Sequence, residues 1–285
     1  MNYLKLMRPK HYIKNFLIFL PLLFNGGLLN FSNILVTFGG FVCFSLIASS
    51  IYIINDIKDK DKDKKHKTKC HRPIASGKIS VKNAIVFMLF LLVLVIALII
   101  AIDFSLLSIF LLMLYFILNL AYSLGLKNVP LVDIIILVSG FVIRVLFGAS
   151  LLSIEVSNWL CLTVIAASFY LGLGKRRNEL LKSNGKTRSV LKYYTKEFLD
   201  KNMYMFLAMT IIFYSLWTTD SAIVIKNNNL LIWTVPLIIV IFMRYSMNIE
   251  GDSDGDPVEV VMHDKVMLVL SLLYALSLIT ILYVL

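Results

Sequence analysis

The sequence predicts an all-α integral membrane protein built as a bundle of nine transmembrane helices. Hydrophobic residues occupy 59% of the 285 positions and charged residues only 16%, whereas soluble domains are nearer half apolar and a quarter charged. The mean hydropathy is +0.84. About 20 apolar residues in a row suffice for a helix to cross the hydrocarbon core, and most of the chain consists of such stretches. A soluble domain is therefore not a competing fold class.

Nine apolar segments are predicted to span the membrane. They lie at 16–30, 33–54, 83–102, 105–122, 131–151, 158–174, 203–219, 229–247 and 266–285. The first is short and contains Pro21, Gly26 and Gly27, residue types that interrupt helices. Neither an internal repeat nor a linker divides the chain, so residues 1–285 are predicted to form a single membrane-embedded domain.

The distribution of basic residues predicts the orientation. With nine spans, the N-terminus and the loops after the second, fourth, sixth and eighth helices share one face, which carries 26 of the 28 basic residues. Lys226 is alone in the loops of the opposite face, and Arg144 lies inside a span. The positive-inside rule places the basic face in the cytosol. The net charge of +11 is thereby explained by topology, without nucleic acid as a partner.

An aspartate-rich segment directly follows the second helix and reads Asn-Asp-Ile-Lys-Asp-Lys-Asp-Lys-Asp over 55–63. If the helix continues, Asp56, Asp59 and Asp63 fall within an arc of about 60°, and Asp61 points to the opposite side. Aligned carboxylates repel one another unless a cation joins them, and oxygen ligands suit Mg²⁺. The alternative is a solvated face that the interleaved lysines neutralise.

Basic residues follow the aspartates, among them Lys69 and Arg72, and then the run Pro73 to Gly77. A metal site beside clustered Lys and Arg is the pattern expected for a diphosphate. The cation bridges some phosphate oxygens, and a guanidinium takes others in bidentate fashion.

Other polar segments lie in or beside later spans. Tyr122 to Lys127 separates the fourth and fifth helices, and Asp133 and Arg144 share one face of the fifth, about three turns apart. An arginine inside a span indicates function by default, and the alternative is a structural partner on another helix. The segment 175–179, Lys-Arg-Arg-Asn-Glu, is either functional or a stop-transfer cluster. The acidic loop 250–264 lacks EF-hand spacing.

Known catalytic and metal motifs are missing from the sequence. It contains no GxSxG, no HExxH, no Walker A segment and no zinc-like spacing of its three cysteines. The missing Walker A segment argues against ATP-driven transport by this chain.

The aspartate segment, with Lys69, Arg72-Pro73 and the run to Gly77, resembles the UbiA superfamily of intramembrane prenyltransferases. The resemblance implies a UbiA-like bundle of nine helices whose cytosolic active-site loops bind Mg²⁺ and a prenyl diphosphate through two aspartate-rich motifs. At the second motif the chain has Lys175 to Glu179 instead of aspartates. In this it resembles the decaprenyl-phosphate phosphoribosyltransferase branch, with two small departures, Tyr12 for the commoner Trp and Lys67 for the usual Pro.

The resemblance to that branch implies Mg²⁺-dependent transfer of 5-phosphoribosyl from phosphoribosyl pyrophosphate to a polyprenyl monophosphate, with inversion at C1. Asp56, Asp59 and Asp63, which are also the implied catalytic residues, would hold the metal together with Asn55. The implied substrate-binding residues are Lys14, Lys69, Arg72, Tyr122, Lys127, Arg144, Lys175, Arg176 and Glu179.

Two other functions compete with this interpretation. The first is an ordinary UbiA enzyme that moves a prenyl group onto an aromatic acceptor, and the missing second aspartate motif weighs against it. The second is a transporter or lipid-binding protein without chemistry. The expected location is the cell membrane, with the lipid bilayer as a partner and a cell-envelope glycan as the destination of the product. The polyprenyl length, the later use of the pentose and the oligomeric state, including a homo-oligomer, stay open.

Overall fold

The structure is a computed structural model that describes residues 2–66, 68–183, 188–220, 223, 229–251, 253, 255 and 257–285. Lys67, Lys226 and three aspartates of the acidic loop 250–264, namely Asp252, Asp254 and Asp256, lie outside the described residues. In the described part the regular structure is helical, with no strand.

Twelve α-helices are described here. They are α1 (Asn2–Met7), α2 (Leu20–Phe24), α3 (Phe31–Lys58), α4 (Lys60–Lys64), α5 (Val81–Ile102), α6 (Leu106–Leu124), α7 (Val132–Leu151), α8 (Asn158–Ser183), α9 (Lys196–Thr218), α10 (Val235–Glu250), α11 (Pro257–His263) and α12 (Lys265–Tyr283). The 3-10 segments are Pro9–Phe19, Gly27–Leu29, Lys69–His71, Leu126–Asn128, Ser189–Tyr193 and Leu230–Thr234.

Side-chain caps mark several helix starts. The Asn30 side chain accepts from the backbone N–H groups at the start of α3, Ser80 does so for α5, and Ser105 for α6. Thr195 and Asp264 cap α9 and α12 in the same way. These side chains satisfy backbone donors that have no partner within the helix, as Asn, Ser, Thr and Asp caps generally do.

The chain separates into two compact units. The first comprises Met1–Leu126 and Ile143–Ile154, and the second comprises Lys127–Val142 and Glu155–Leu285. Helix α7 therefore contributes residues to both. The expected single domain over 1–285 stays a prediction.

In the first unit, α3 packs against α5 and α6. Its buried face combines large residues such as Phe44 and Ile47 with small ones such as Ala48 and Ser49. Small residues let helices approach closely in a membrane, where packing rather than the hydrophobic effect drives association. A close approach also occurs between α7 and the 3-10 segment Pro9–Phe19, because a Cβ on Gly148 would lie 2.0 Å from the carbonyl oxygen of Ile18.

In the second unit, α8 packs along α9, and α10 packs on α12. The core contains buried Tyr170 and Leu173 from α8, Leu199 and Met203 from α9, and Tyr245 from α10. The Tyr170 hydroxyl lies 2.6 Å from Ser246 Oγ. This hydrogen bond satisfies a polar group within an otherwise apolar core.

Six of the described helices are long and apolar enough to cross a membrane: α3, α5, α6, α7, the stretch Leu230–Glu250 and α12. Only 11% of the most apolar stretch of α5 is buried inside the protein. Its exposed residues include large hydrophobic side chains such as Phe90 and Val93. This is the surface expected of a helix that faces lipid tails. The prediction of nine spans is not confirmed by these six.

Two predicted spans show the largest differences from the helices found. The segment 16–30 is divided into a 3-10 segment, the short α2 and a second 3-10 turn, because Pro21 restricts the backbone and Gly26 adopts a φ of 76°. Helix α8 continues to Ser183, past its predicted end at 174. The charged residues Arg176 and Arg177 stay helical because carboxylates neutralise them inside the fold.

Candidate active site

Two aspartates of the 55–63 segment are buried and share one arginine. Asp56, in the last turn of α3, is 2% exposed, and Asp63, in α4, is 5% exposed. Arg72 Nη1 donates to Asp56 Oδ1 at 3.1 Å and to Asp63 Oδ2 at 2.6 Å. A single guanidinium nitrogen therefore joins carboxylates that lie two helical turns apart in sequence. We call Asp56, Asp59, Asp63 and Arg72 the acidic cluster.

The backbone explains why these carboxylates share a face. Although α3 ends at Lys58, the N–H of Asp59 bonds to the carbonyl of Asn55 at 2.9 Å, and the N–H of Asp63 to that of Asp59 at 2.8 Å. The helical repeat thus continues across the junction. Asn55 and Asp59 are half-buried, whereas Asp61 is exposed. Its carboxylate lies 3.5 Å from Lys64 Nζ, so the solvated-face interpretation holds for Asp61 but not for Asp56 and Asp63.

Arg8 is a residue of this region that the sequence analysis did not assign to the site. It lies between α1 and the following 3-10 segment, and its Nη2 donates to Asp56 Oδ1. Its φ of 55° and ψ of 58° put a non-glycine residue in the left-handed region. The local sequence gives no direct sign of a contact between residues 48 positions apart.

The donor set of the acidic cluster fits Mg²⁺. The described residues contain no group of three or more His, Cys, Asp or Glu side chains already arranged around a metal position. Mg²⁺, however, is usually held by one or two carboxylates together with substrate phosphates. Asp56 and Asp63 supply two carboxylates beside the cation of Arg72, and all their donor atoms are oxygens.

The remaining candidates of the first unit lie at different depths. Lys69 is exposed in the 3-10 turn Lys69–His71, and Lys14 and Tyr122 are half-buried. Lys58 Nζ donates to the carbonyl oxygen of Ser123 at 2.6 Å. This bond ties the end of α3, where the acidic cluster begins, to the end of α6, where Tyr122 lies.

Arg144 has the surroundings of a structural residue. It is 6% exposed; its Nε donates to Asn15 Oδ1 at 2.8 Å, and its Nη2 donates to the Tyr115 hydroxyl at 3.0 Å. The guanidinium lies 4.9 Å from the ring centroids of both Phe44 and Tyr115. These contacts favour the alternative in which Arg144 pairs with side chains of other segments.

In the second unit, a buried network surrounds Arg176, which is fully buried together with Asp133. Arg176 Nε donates to Asp133 Oδ2 at 2.6 Å, and its Nη1 donates to Glu179 Oε2 at 2.8 Å. Arg188 Nε lies 3.1 Å from the same Glu179 oxygen. The Tyr194 hydroxyl donates to Asp133 Oδ1 at 2.6 Å. We call these five residues the Arg176 cluster.

Tyr194 completes the hydrogen bonding of the Arg176 cluster. Tyr194 also accepts a hydrogen bond from the N–H of Leu131 at 2.7 Å, and burial, followed by the bond to Asp133, raises the pKa of its hydroxyl above the ordinary value. Tyr194 therefore stays a neutral donor. Lys127 precedes Asp133 in the sequence, Lys175 directly precedes Arg176, and both lysines are half-buried. Glu179 is placed to orient Arg176.

Another ion pair involves the end of the acidic loop 250–264. Arg244 Nε donates to Asp264 Oδ2 at 2.6 Å, and the amide of Asn248 donates to the same oxygen. These bonds, Arg244 first, hold the pKa of Asp264 well below its usual range. Asp264 also caps α12 through its other oxygen, so this acidic residue organises local structure.

A pH-dependent stability follows from Asp264. Its folded pKa is depressed, so its stabilising contribution is present above the ordinary carboxyl pKa of about 4 and is lost as the pH falls towards the lowered value. We expect Asp264→Asn to lower the melting temperature at pH 7. The gap to the unmodified protein should narrow below about pH 4. Thermal unfolding of both proteins in detergent, from pH 7 to below about pH 4, tests this prediction. A difference in melting temperature that does not change with pH would contradict it.

Comparisons with known proteins agree with these features. A sequence profile of the UbiA prenyltransferase family matches residues 16–263. The decaprenyl-phosphate phosphoribosyltransferase of Corynebacterium glutamicum is 31% identical over 290 residues, which cover 99% of this chain and 86% of that protein. The enzyme of the same name from Mycolicibacterium smegmatis is 31% identical over 287 residues, covering 94% and 88% respectively.

A solved structure shares the fold. It is a UbiA homolog from Archaeoglobus fulgidus bound to DMAPP and Mg²⁺, with a TM-score of 0.70 and 20% identity over 100% of both chains. The resemblance drawn from the aspartate segment is thus confirmed. Six apolar helices in the described part of the chain, together with the family match, make it a multi-pass membrane protein. The chain belongs to the UbiA prenyltransferase family.

Proposed function

We propose that this chain transfers a 5-phosphoribosyl group from phosphoribosyl pyrophosphate to a polyprenyl monophosphate of the decaprenyl type. One observation carries the proposal: nearly the whole chain is similar, at 31% identity, to two enzymes named decaprenyl-phosphate phosphoribosyltransferase. The acidic cluster supports it, because buried carboxylates beside an arginine suit a metal-bound diphosphate.

The acidic cluster is the proposed binding site of the diphosphate. Asp56, Asp59 and Asp63, with Asn55, would hold Mg²⁺, which when bound neutralises charge on the leaving diphosphate. Arg72 already lies between two of these carboxylates. Its guanidinium can also bind phosphate oxygens of the diphosphate. Exposed Lys69, three residues earlier in the sequence, adds a second positive charge.

The transfer itself needs little covalent chemistry from the protein. A phosphate oxygen of the lipid forms a bond to C1 of the ribose on the face opposite the diphosphate. The bond from C1 to the diphosphate oxygen breaks, and its electron pair leaves with the diphosphate. Displacement from the opposite face inverts the configuration at C1. Catalysis then rests on positioning and on stabilising charge on the leaving group.

A general base is not required for this reaction. A phosphate monoester has a second pKa of about 6, so it is already an anionic nucleophile at neutral pH. The proposal therefore agrees with a sequence that contains none of the usual nucleophile or base motifs. What the reaction needs from the protein is cations that hold two anionic substrates.

Basic side chains are proposed to divide the remaining phosphates. Lys14, Lys127 and Lys175 are the candidates for direct contact with the 5-phosphate of the donor and the phosphate of the lipid. Since Arg176 is fully buried and paired with Asp133 and Glu179, we assign it a positioning role. Tyr122 is proposed to contact the substrate. For Arg144, the hydrogen bonds to Asn15 and Tyr115 favour a structural role.

The topology belongs to the same proposal. Nine spans in the cell membrane would form one domain, with the N-terminus and the active-site loops in the cytosol, where phosphoribosyl pyrophosphate is available. The concentration of basic residues in alternate loops supports this orientation. The product would be a lipid-linked pentose for a cell-envelope glycan.

Prenyl transfer to an aromatic acceptor is the second candidate function. The family is described as prenyltransferases, and the Archaeoglobus homolog was solved with DMAPP and Mg²⁺. The basic segment at 175–179, in place of a second aspartate motif, weighs against it.

One assay separates the two functions. Membranes that contain the protein are incubated with radiolabelled phosphoribosyl pyrophosphate, decaprenyl phosphate and Mg²⁺, with or without EDTA. We expect label in the lipid phase with Mg²⁺ and a loss of at least about a hundredfold with EDTA, because the diphosphate charge is then uncompensated. The Asp63→Asn variant is the matched control. No transfer here, with activity on a prenyl diphosphate and an aromatic acceptor, would establish the second function.

A further inference from the structure

A polar stripe runs along one face of α3 towards the acidic cluster. Ser45, Ser49, Tyr52 and Asp56 follow one another at spacings of four, three and four residues. Residues at these spacings lie on the same side of an α-helix. Asp56 is therefore the last position of a stripe that begins three turns earlier.

The N-terminal arm, residues 2–15, contacts every position of this stripe. Asn15 Nδ2 donates to Ser45 Oγ at 2.8 Å, and the Tyr12 hydroxyl lies 2.8 Å from Ser49 Oγ. The rings of His11 and Tyr52 are 5.3 Å apart, and Arg8 bonds to Asp56. The arm runs antiparallel to α3, so its order of contacts fixes which residue reaches the aspartate.

Further contacts hold the arm in this register. Ser49 Oγ also bonds to the carbonyl oxygen of Met7 at 3.1 Å, and Leu6 is fully buried. The Arg8 guanidinium lies 5.0 Å from the centroid of the Tyr52 ring. Arg8 keeps its left-handed backbone conformation because the residues before it and after it are both anchored, and such conformations persist where surrounding structure determines them.

One carboxylate oxygen is thereby shared by two arginines. Asp56 Oδ1 accepts from Arg8 Nη2 and from Arg72 Nη1. A metal ion that binds this oxygen has to displace a guanidinium from it. Arg72 is also held by Asp63 at 2.6 Å, whereas Asp56 is the single carboxylate with which a contact of Arg8 is described. Arg8 is therefore the group that can leave.

We propose that Arg8, delivered by the N-terminal arm, is a positioning residue of the acidic cluster that competes with the divalent cation for Asp56. The inference rests on the metal site of the proposed function. Until the metal arrives, Arg8 compensates the buried charge of Asp56 and keeps its carboxylate oriented. Its presence weakens metal binding in the absence of substrate.

Metal binding without substrate tests this directly. Mn²⁺ is the probe, since electron paramagnetic resonance measures the free ion in a titration of the purified protein in detergent at mildly alkaline pH. Arg8→Gln removes the competing charge and should tighten Mn²⁺ binding about tenfold, the size expected for one charge-assisted hydrogen bond. Arg8→Lys keeps the charge and should stay within about threefold of the unmodified protein.

A second arm variant controls for overall charge. Lys10→Gln removes one exposed positive charge two residues away and should leave Mn²⁺ affinity unchanged. Equal tightening in Lys10→Gln and Arg8→Gln would overturn the inference in favour of a general charge effect. Unchanged or weaker binding in Arg8→Gln, with an unaltered melting temperature, would also overturn it.

The failure of the proposed function looks different. If the unmodified protein binds no Mn²⁺ and Asp63→Asn makes no difference, the metal site itself is wrong, and the inference falls with it. If the unmodified protein binds Mn²⁺ through Asp63 and Arg8→Gln binds it equally well, only the role of Arg8 is wrong.

Discussion

Asp63→Asn is expected to reduce transfer to the lipid by about a thousandfold while the protein still inserts and purifies. The substitution preserves the shape of the side chain and removes its negative charge. In the folded chain this carboxylate is buried and 2.6 Å from Arg72 Nη1. Without it, the acidic cluster loses one of its two buried ligands for the metal–diphosphate complex. The radiolabelled transfer assay measures the loss.

The same segment offers a matched control for Asp63. Asp61 lies two residues earlier, is exposed, and has a surface ion pair with Lys64, a type of contact that contributes little. Asp61→Asn should therefore keep transfer within about twofold of the unmodified protein. Equal losses in both variants would mean that the net charge of the segment matters and not the buried site. Retained activity in Asp63→Asn would remove the metal assignment.

Asp59 extends this test to the third proposed ligand. It is half-buried, so replacing it disturbs packing less than replacing Asp63. A large loss of transfer in Asp59→Asn, with an unchanged melting temperature, is expected if all three aspartates serve the metal–diphosphate complex. Normal transfer would reduce the ligand set to Asp56 and Asp63.

Arg176→Ala is expected to have the largest effect on stability. It leaves Asp133 buried with only Tyr194 as a described side-chain donor, and breaking a buried ion pair from one side costs about 3–5 kcal/mol. Arg176→Lys should recover only part of this, because an ammonium does not reproduce the planar fork that joins Asp133 to Glu179. Thermal unfolding in detergent measures both losses.

A double variant separates stability from substrate binding. Replacing Arg176 with Met and Asp133 with Leu removes both buried charges, and apolar replacement of a buried pair is often neutral for stability. We expect the melting temperature to recover and transfer to stay low. Full recovery of transfer would exclude Arg176 from the site, and failure of the melting temperature to recover would show that the cluster has an essential structural role.

Much of the helical fold could be predicted from local sequence. The segments that became α3, α5, α6 and α7 are apolar over the length that a bilayer requires, and this property does not depend on distant residues. The helical repeat likewise predicted that Asp56 and Asp63 share a face and that Asp61 does not. The first predicted span differs in form, because Pro21 and the left-handed Gly26 interrupt the segment 16–30.

The partners of the buried charges could not be predicted in this way. Arg8 and Asp56 are 48 positions apart, Asp133 and Arg176 are 43 apart, and Asp133 and Tyr194 are 61 apart. Hydropathy and periodicity describe each helix by itself and carry no information about such distances.

Composition, length and period therefore established a helical membrane protein with an acidic motif at a helix end, because these follow from the local chemistry of the backbone in lipid. Tertiary structure decided which cation each buried carboxylate receives. A charge that leaves water must be compensated by whatever opposite charge the fold brings to it. In this chain the fold brings two arginines to Asp56, and one of them comes from the N-terminal arm that lies along the polar stripe of α3.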